Sequence, residues 1–222
     1  MKIVGLSGGI ATGKSTASEL IAGHGIAVVD CDVIAHEVVK PGRWAWRRVV
    51  AAFGNDILLD NGELNRDLLG RIVFNDPAAR KKLNRATHLP VLLEMARQLL
   101  THWMLCAHVV VVDMPLLFDI KAQGFFKPAV LVDCDEHTQL SRLMARDGSS
   151  QQDASARINS QMPLAQKREL ADVCLDNSGS REELARQVAE VVAEWQKGRW
   201  RSWLTSPVTL VGGLAVAVSY FL

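Results

Sequence analysis

The chain has 222 residues, of which 49% are apolar and 22% are charged. That composition is typical of a globular protein that folds in water, and it excludes a disordered chain and one embedded throughout in a membrane. The 25 Lys and Arg residues nearly balance the 24 Asp and Glu residues, which gives a formal net charge of +1. We therefore expect no nucleic-acid partner, because the chain as a whole carries no basic field.

Five short apolar runs predict β-strands, and longer stretches with helical periodicity lie between them. The predicted strands are residues 3–6, 26–29, 109–112, 129–132 and 173–175. Apolar strands without alternation, separated by helices, are typical of a parallel sheet that is covered on both faces. The sequence therefore predicts a doubly wound α/β fold with a five-stranded parallel sheet.

The chain between the second and third strands, about 33–107, is expected to be a helical insertion. Helical patterns occur at about 43–53, 65–74 and 76–106, and we expect Pro90 to kink or break the last helix because proline removes a backbone donor. After the fourth strand, helices are expected at 136–146 and 154–170, separated by a polar break. A final helix is predicted at 180–195, where Ser180 and Glu183 form a capping box.

A glycine-rich segment between the first strand and the next helix fits the P-loop pattern G-x-x-x-x-G-K-[ST]. Its glycines allow backbone N–H groups to turn around an anion, and the N-terminus of the helix at about 14–22 adds partial positive charge. The spacing predicts that Lys14 reaches the β- and γ-phosphates of a nucleoside triphosphate and that Ser15 binds Mg²⁺. A glycine-rich turn with an exposed lysine is the alternative. The segment consists of Gly8, Gly9, Ile10, Ala11, Thr12, Gly13, Lys14, Ser15 and Thr16.

Carboxylates follow the second and third predicted strands, at the sheet edge where open α/β folds bind ligands. Asp30 and Asp32 lie two residues apart after the second strand, and Asp32 is also placed to cap the helix that follows. Asp113 ends the apolar run 109–112 in the manner of a Walker B carboxylate. It is therefore a candidate for binding magnesium through water, or else a turn former.

Arginines after the fourth strand give that region a local positive charge. Arg142 and Arg146 are four residues apart and share one helical face. In an adenylate-kinase-like arrangement they belong to a lid at about 142–168, and their guanidinium groups neutralise charge that develops on the triphosphate. A solvated basic face is the alternative, and Arg157 faces the same choice.

Together these motifs resemble the dephospho-CoA kinase family, over a stretch from about residue 2 to residue 195. The resemblance includes the P-loop, the segment Asp30-Cys31-Asp32-Val33-Ile34-Ala35-His36 with Val39 and Pro41-Gly42 behind it, and Asp113-Met114-Pro115-Leu116-Leu117-Phe118. Further matches are Phe53-Gly54, residues 64–74, Gln139-Leu140 with Arg142, Arg146-Asp147, Arg157 with Gln161, Ala171-Asp172 and Asp176-Asn177-Ser178-Gly179. The resemblance implies that a kinase domain at 1–196 uses ATP and Mg²⁺ to phosphorylate the ribose 3′-hydroxyl of dephospho-CoA, giving coenzyme A.

The resemblance also implies roles for individual residues. Asp32 matches the proposed catalytic carboxylate, which orients or deprotonates the acceptor hydroxyl, and Asp30 is expected to support it or to lie near magnesium. The apolar wall of the acceptor site is implied at Pro115, Leu116 and Leu117.

Three further positions are implied less directly. Asn177 matches a turn near the adenine. Asp119 stands where the family usually has Glu, and because it is one methylene shorter it either contacts the acceptor site through water or only shapes the loop. His88 departs from the family's His-Pro because Leu89 intervenes, so it is either an acceptor contact or a structural histidine before a kink.

Two other functions remain open from the sequence. One is a P-loop kinase for a different small molecule, and the other is a membrane-bound nucleotide switch that binds without transfer. A GTP switch typically carries an Asn-Lys-x-Asp motif, which this sequence lacks.

The last 21 residues, 202–222, carry no charged side chain. As a helix they reach about 30 Å, which matches the hydrocarbon thickness of a bilayer. Basic and aromatic residues precede them, as at a membrane boundary: Lys197, Arg199, Trp200, Arg201 and Trp203. We therefore expect 197–222 to form a C-terminal hydrophobic helix that anchors the kinase domain on the cytosolic side of a membrane. A core-packed helix is the alternative, because 208–222 spans only about 22 Å.

Overall fold

The computed structural model describes residues 1–197, apart from the side chain of Asn75. The chain divides into two compact units, one formed by Met1–Val29 with the chain from Thr101 onward, and the other by Asp30–Leu100. The first unit contains the sheet, and the second is helical. The acceptor-binding role expected for the helical insertion at about 33–107 and the lid role expected for about 142–168 stay predictions.

The sheet has five strands in the order β2-β3-β1-β4-β5. The strands are β1 (Lys2–Gly8), β2 (Ala27–Asp30), β3 (Val109–Asp113), β4 (Ala129–Asp133) and β5 (Val173–Asp176). In the centre, β1 runs parallel to β3 with Leu6 opposite Asp113, and parallel to β4 with Gly8 opposite Val132. The prediction of a five-stranded parallel sheet is thus confirmed.

The unit that contains the sheet also contains the helices α1 (Lys14–Gly23), α6 (Glu136–Asp147), α7 (Gln151–Asn159), α8 (Leu164–Leu170) and α9 (Arg181–Gln196). Of these, α1 and α9 pack on the sheet through their apolar faces. Ile21 of α1 and Val188 of α9 join Val4 and Val111 of the strands in one buried cluster. The predicted capping box is confirmed, because Ser180 and Glu183 bond each other's backbone N–H at the start of α9.

Four helices form the second unit and lead out of it. They are α2 (Cys31–Glu37), α3 (Trp44–Phe53), α4 (Arg66–Asn75) and α5 (Pro77–Met104). Val49 of α3, Leu69 of α4 and Ala86 of α5 pack in a small core together with Ile57 and Leu64.

The expected break at Pro90 is wrong, since α5 continues through it as one helix of 28 residues. A proline inside a helix removes one hydrogen bond and crowds the carbonyl four residues earlier. Here that residue is Ala86, and both Ala86 and Pro90 are buried. Packing of these small apolar side chains keeps the helix in one piece despite the missing bond.

Within residues 1–197, no helix is both long and apolar enough to cross a bilayer. The hydrophobic helix expected at the C-terminus falls on residues 198–222, which lie outside the described part of the chain.

Candidate active site

The P-loop joins the end of β1 to the start of α1 within nine residues, Gly8 to Thr16. Gly13 precedes the helix with a φ of 88°, which is a left-handed conformation that favours glycine. A Cβ built on Gly13 would lie 2.0 Å from Nδ2 of Asn177. Ala11 is also left-handed, with a φ of 60°. The loop is therefore wound tightly, and a glycine is required where it enters the helix.

Within the described residues, no side chain caps the first backbone N–H groups of α1, so these groups can donate to a ligand. Gly13 provides no side-chain cap, and the first turn of α1 contains no acidic residue. The first N–H groups of a helix have no intrahelical partner, and they attract anions together with the helix dipole. Thr12 is buried and its hydroxyl donates to the Gly9 carbonyl at 3.0 Å, which closes the loop on itself. This arrangement suits a phosphate group at the N-terminus of α1.

Lys14 and Asp113 form an ion pair at this helix start. Lys14 Nζ lies 2.5 Å from Asp113 Oδ1, and the Asp113 side chain is 2% exposed. Asp113 reaches this position because it ends β3, the strand that pairs with β1. The lysine assigned to phosphate and the carboxylate assigned to metal therefore lie in direct contact.

Arg142 of α6 is also connected to the P-loop, through hydrogen bonds of Asn177. Its guanidinium donates to the Asn177 carbonyl at 2.7 Å, and the Asn177 amide donates to the Thr12 carbonyl at 2.8 Å. Asn177 is buried and links the P-loop backbone to α6. The structure thus brings together the P-loop, Lys14, Asp113, Asn177 and Arg142.

Comparison with known proteins identifies this arrangement. The dephospho-CoA kinase family model matches residues 2–183. The chain belongs to the dephospho-CoA kinase family.

Individual relatives agree with that assignment. A dephospho-CoA kinase of Arabidopsis thaliana is 48% identical over 194 residues, which cover 87% of this chain and 84% of the relative. The crystal structure of TT1252 from Thermus thermophilus has a TM-score of 0.74 at 33% identity, over 87% of this chain and 97% of that one. A dephospho-CoA kinase from Campylobacter jejuni has a TM-score of 0.68 at 28% identity, over 89% of this chain and 99% of that one.

The outer arginines of the expected lid share a carboxylate. Arg146 donates to Asp147 at 2.8 Å, and Arg157 of α7 pairs with the same side chain. Hydrogen bonds from Arg146 hold the pKa of Asp147 below its usual range. Arg146 and Arg157 are both about half exposed, so the alternative of a solvated face describes them better than it describes Arg142.

The residues that resemble the family's acceptor wall divide between core and surface. Leu117 is completely buried, and a Cβ on Gly5 would lie 2.9 Å from it, so the structure places Leu117 in the core. Leu116 is 47% exposed. The Pro115 carbonyl accepts the Ser7 hydroxyl at 2.8 Å, which fixes the chain after β3 against β1.

In the second unit, Asp30 and not Asp32 caps the helix α2. Asp30 Oδ1 accepts the backbone N–H of Asp32 at 2.8 Å and that of Val33 at 3.0 Å. The capping role considered for Asp32 is therefore wrong. The Asp32 side chain lies exposed on the first turn, where it is available for other chemistry.

His88 is exposed on α5, which continues through Pro90 as one helix. Its assignment as an acceptor contact stays a prediction.

A magnesium site of this family need not be a cluster of protein side chains, because Mg²⁺ commonly keeps waters and phosphate oxygens beside one or two protein ligands. Residues 1–197 contain no group of three His, Cys, Asp or Glu side chains that could hold a metal alone. The exposed hydroxyl of Ser15 and the carboxylate of Asp113 are oxygen donors of the kind that Mg²⁺ prefers. The donor set therefore fits an ion shared with a triphosphate.

Sequence reasoning missed two features of this site. Asp133 ends β4 as Asp113 ends β3, and its buried carboxylate pairs with Arg168 of α8. The Gln139 amide donates to the backbone carbonyl of Ile10 at 2.9 Å, and Gln161 Oε1 accepts the backbone N–H of Ile10 at 3.0 Å. The strand-ending position was the available signal for Asp133, whereas nothing local indicates the contacts of the two glutamines.

Proposed function

We propose that this chain transfers the γ-phosphoryl group of ATP to the ribose 3′-hydroxyl of dephospho-CoA, which gives coenzyme A. The observation that carries the proposal is a P-loop with a closed, glycine-dependent geometry in a chain that belongs to the dephospho-CoA kinase family over residues 2–183. Phosphoryl transfer needs positioning and charge stabilisation more than covalent chemistry, and a P-loop provides both.

The P-loop residues Gly8 to Thr16 bind the triphosphate with their backbone N–H groups. Lys14 leaves or shares its contact with Asp113 and neutralises charge on the β- and γ-phosphates. Ser15 and Asp113 would hold Mg²⁺, with Asp113 acting through water. When bound, that ion neutralises the phosphate oxygens.

Asp32 acts on the acceptor. Its exposed carboxylate, free of the helix cap, orients or deprotonates the 3′-hydroxyl of the ribose. Asp30 supports it by fixing the start of α2. We assign acceptor contacts to Pro115, Leu116 and His88, and Leu117 contributes to the wall only by supporting it from the core.

The arginines stabilise the charge that develops during transfer. Arg142 projects from α6 and donates to the Asn177 carbonyl. Asn177 in turn contacts the P-loop at Thr12, next to the proposed nucleotide site. Arg146 and Arg157 add positive charge from the lid, and Asp147 keeps the two guanidinium groups together.

The C-terminal segment anchors the enzyme to a membrane, with the kinase domain on the cytosolic side. What supports this proposal is the sequence alone: an uncharged run at 202–222 that follows a basic and aromatic boundary. Nothing in the P-loop or its partners requires this segment.

An acceptor panel tests the proposed reaction. The full-length protein is incubated with ATP and Mg²⁺ and with dephospho-CoA, nucleosides or nucleoside monophosphates, and the products are identified by mass spectrometry. The expected product is coenzyme A, with turnover of the other acceptors lower by orders of magnitude. Turnover of another acceptor without turnover of dephospho-CoA would favour a different small-molecule kinase.

A further inference from the structure

A buried ion pair connects helix α8 to the chain after β3, and one of its members, Asp119, stands where the dephospho-CoA kinase family usually has Glu. Lys167 of α8 donates from Nζ to Asp119 Oδ2 at 2.7 Å, and the Lys167 side chain is 0% exposed. An ammonium group removed from water is costly unless a charged partner and good geometry compensate it. The buried position of the Lys167 ammonium group therefore depends on the charge of Asp119.

Asp119 also holds the connection between α7 and α8. Its Oδ1 accepts the backbone N–H of Met162 at 2.9 Å. Burial alone would raise the pKa of Asp119, but the hydrogen bonds from Lys167 and Met162 outweigh it and hold the pKa below its ordinary value. The side chain is thus ionised at neutral pH, and both oxygens have a partner.

The residue before Met162 binds the P-loop itself. Gln161 Oε1 accepts the Ile10 N–H at 3.0 Å, and Gln139 of α6 donates to the Ile10 carbonyl at 2.9 Å. Two successive residues, Gln161 and Met162, therefore tie the α7–α8 connection to the P-loop on one side and to the chain after β3 on the other.

This connection shapes the space next to the P-loop. Gln161, Met162 and Pro163 form one wall of a cavity of about 420 Å³ that also borders Gly9. Helix α7, which ends just before the connection, carries Arg157. The connection therefore holds the C-terminal end of α7 next to the P-loop.

We propose that Asp119, together with Lys167, is a positioning residue that fixes the attachment of the lid helix α7 to the P-loop side of the protein. The inference rests on the proposed function, because it assigns the ion pair to the transfer of phosphate. Asp119 acts through Met162, Lys167 and the neighbouring Gln161, and it does not touch the reacting atoms. The replacement Asp119→Asn keeps the size and the acceptor for Met162 but removes the charge that Lys167 needs.

The test compares Asp119→Asn with Asp119→Glu and with Asp172→Asn. Asp172 is a matched control, because its carboxylate also accepts hydrogen bonds from one lysine, Lys127, and from one backbone N–H, that of Ala129. Unlike Lys167, the Lys127 side chain is 67% exposed. Kinetics are measured at a temperature at which circular dichroism shows every variant to be folded. Amide hydrogen exchange of α7 and α9 is measured without substrates.

In Asp119→Asn we expect kcat to fall roughly 10- to 100-fold, since a displacement of about 1 Å can have such an effect. The KM for ATP should change much less. Exchange should quicken in α7 and stay unchanged in α9. Asp119→Glu, which restores the charge, should recover most of the lost kcat, and Asp172→Asn should behave as wild type.

A kcat for Asp119→Asn within about twofold of the wild-type value would overturn the proposal, because displacement of the lid helix predicts a much larger fall in kcat. If Asp119→Asn does not fold, the double variant Asp119→Asn with Lys167→Met leaves no unpaired buried charge and is tested instead. It should show the same loss of kcat, and normal turnover in it also overturns the proposal. If the wild type fails to phosphorylate dephospho-CoA, the proposed function fails, while unaltered exchange in α7 separately refutes the positioning role.

Discussion

The amine of Lys14 and the carboxylate of Asp113 lie 2.5 Å apart at the start of helix α1. A triphosphate that binds at this helix therefore competes with Asp113 for the same ammonium group. Since Asp113 is also the proposed magnesium partner, the two residues are expected to change partners in a coordinated way when the nucleotide binds with its metal.

The first prediction concerns this lysine. Lys14→Met should lower kcat by about 10²–10³, the range observed when one group that stabilises transition-state charge is removed. Steady-state assays of ADP release measure the effect. Lys127→Met is the control, because Lys127 also pairs with an aspartate but is 67% exposed, and it should retain normal turnover. Turnover of Lys14→Met close to that of wild type would remove Lys14 from the mechanism.

Catalysis and helix capping are separable at the start of α2. Asp32→Asn should lower kcat by about 10²–10⁴, the usual contribution of general acid–base catalysis, and leave ATP affinity nearly unchanged. Asp30→Ala should instead reduce stability by about 1 kcal/mol through loss of the cap, and Asp30→Asn should preserve the cap. Steady-state kinetics and urea unfolding of the three variants distinguish these effects. Unaltered turnover in Asp32→Asn would contradict the assignment.

The two glycines at opposite ends of α1, Gly13 and Gly23, should differ in how their replacement by alanine changes stability. Gly13→Ala puts a methyl group 2.0 Å from Asn177 Nδ2 at a φ of 88°, so nucleotide affinity and stability should both fall. Gly23→Ala meets nothing within 4 Å and should leave stability equal or raise it by up to about 1 kcal/mol. Thermal unfolding and titration with an ATP analogue measure the two responses. Equal behaviour of the two variants would refute the packing argument.

Removal of residues 199–222 should release the protein from membranes and leave dephospho-CoA kinase activity intact. The reason is that the uncharged run lies wholly within this segment and the P-loop contacts lie outside it. Fractionation of cells followed by the kinase assay measures both effects. As a matched variant, Val211→Lys with Leu214→Lys keeps the length of the segment but should also release the protein, because charges are costly in a bilayer. A truncated protein that does not fold would assign the segment to the core instead.

The thiol of Cys134 should be unreactive in the folded protein. Burial raises its pKa to about 11, and the thiolate is the form that reacts. Because a raised pKa means that the proton is kept until higher pH, iodoacetamide at pH about 8 should leave Cys134 unmodified. The same treatment in urea should modify it, and peptide mass spectrometry detects the difference. Rapid modification in the folded state would mean that Cys134 is not buried.

Local patterns were sufficient for much of the fold and of the site. The strands β3 and β4 each begin with four consecutive buried apolar residues, the P-loop is a contiguous motif, and the capping box needs only Ser180 and Glu183. In each case, the information lies within a few residues. Pro90 shows where such reasoning fails, since its buried neighbourhood outweighs the helix-breaking tendency of proline.

Contacts between distant parts of the chain were beyond sequence reasoning. Lys167 and Asp119 are 48 residues apart, and Arg168 and Asp133 are 35 residues apart. Such pairs follow from how α8 packs against the strands, which periodicity does not specify. The capping of α2 by Asp30 instead of Asp32 is more subtle, because both residues are suited to capping and only the backbone conformation decides between them.

The strand that leads into the P-loop, β1, lies between two strands that each end in an aspartate, Asp113 on β3 and Asp133 on β4. Each of these carboxylates is matched by a cation from the protein itself, Lys14 for one and Arg168 for the other. Beside β1, a polyanion therefore meets two carboxylates whose negative charge is already compensated. Loss of Arg168 would leave the Asp133 carboxylate without this cation and would place an uncompensated negative charge at the end of the strand next to β1.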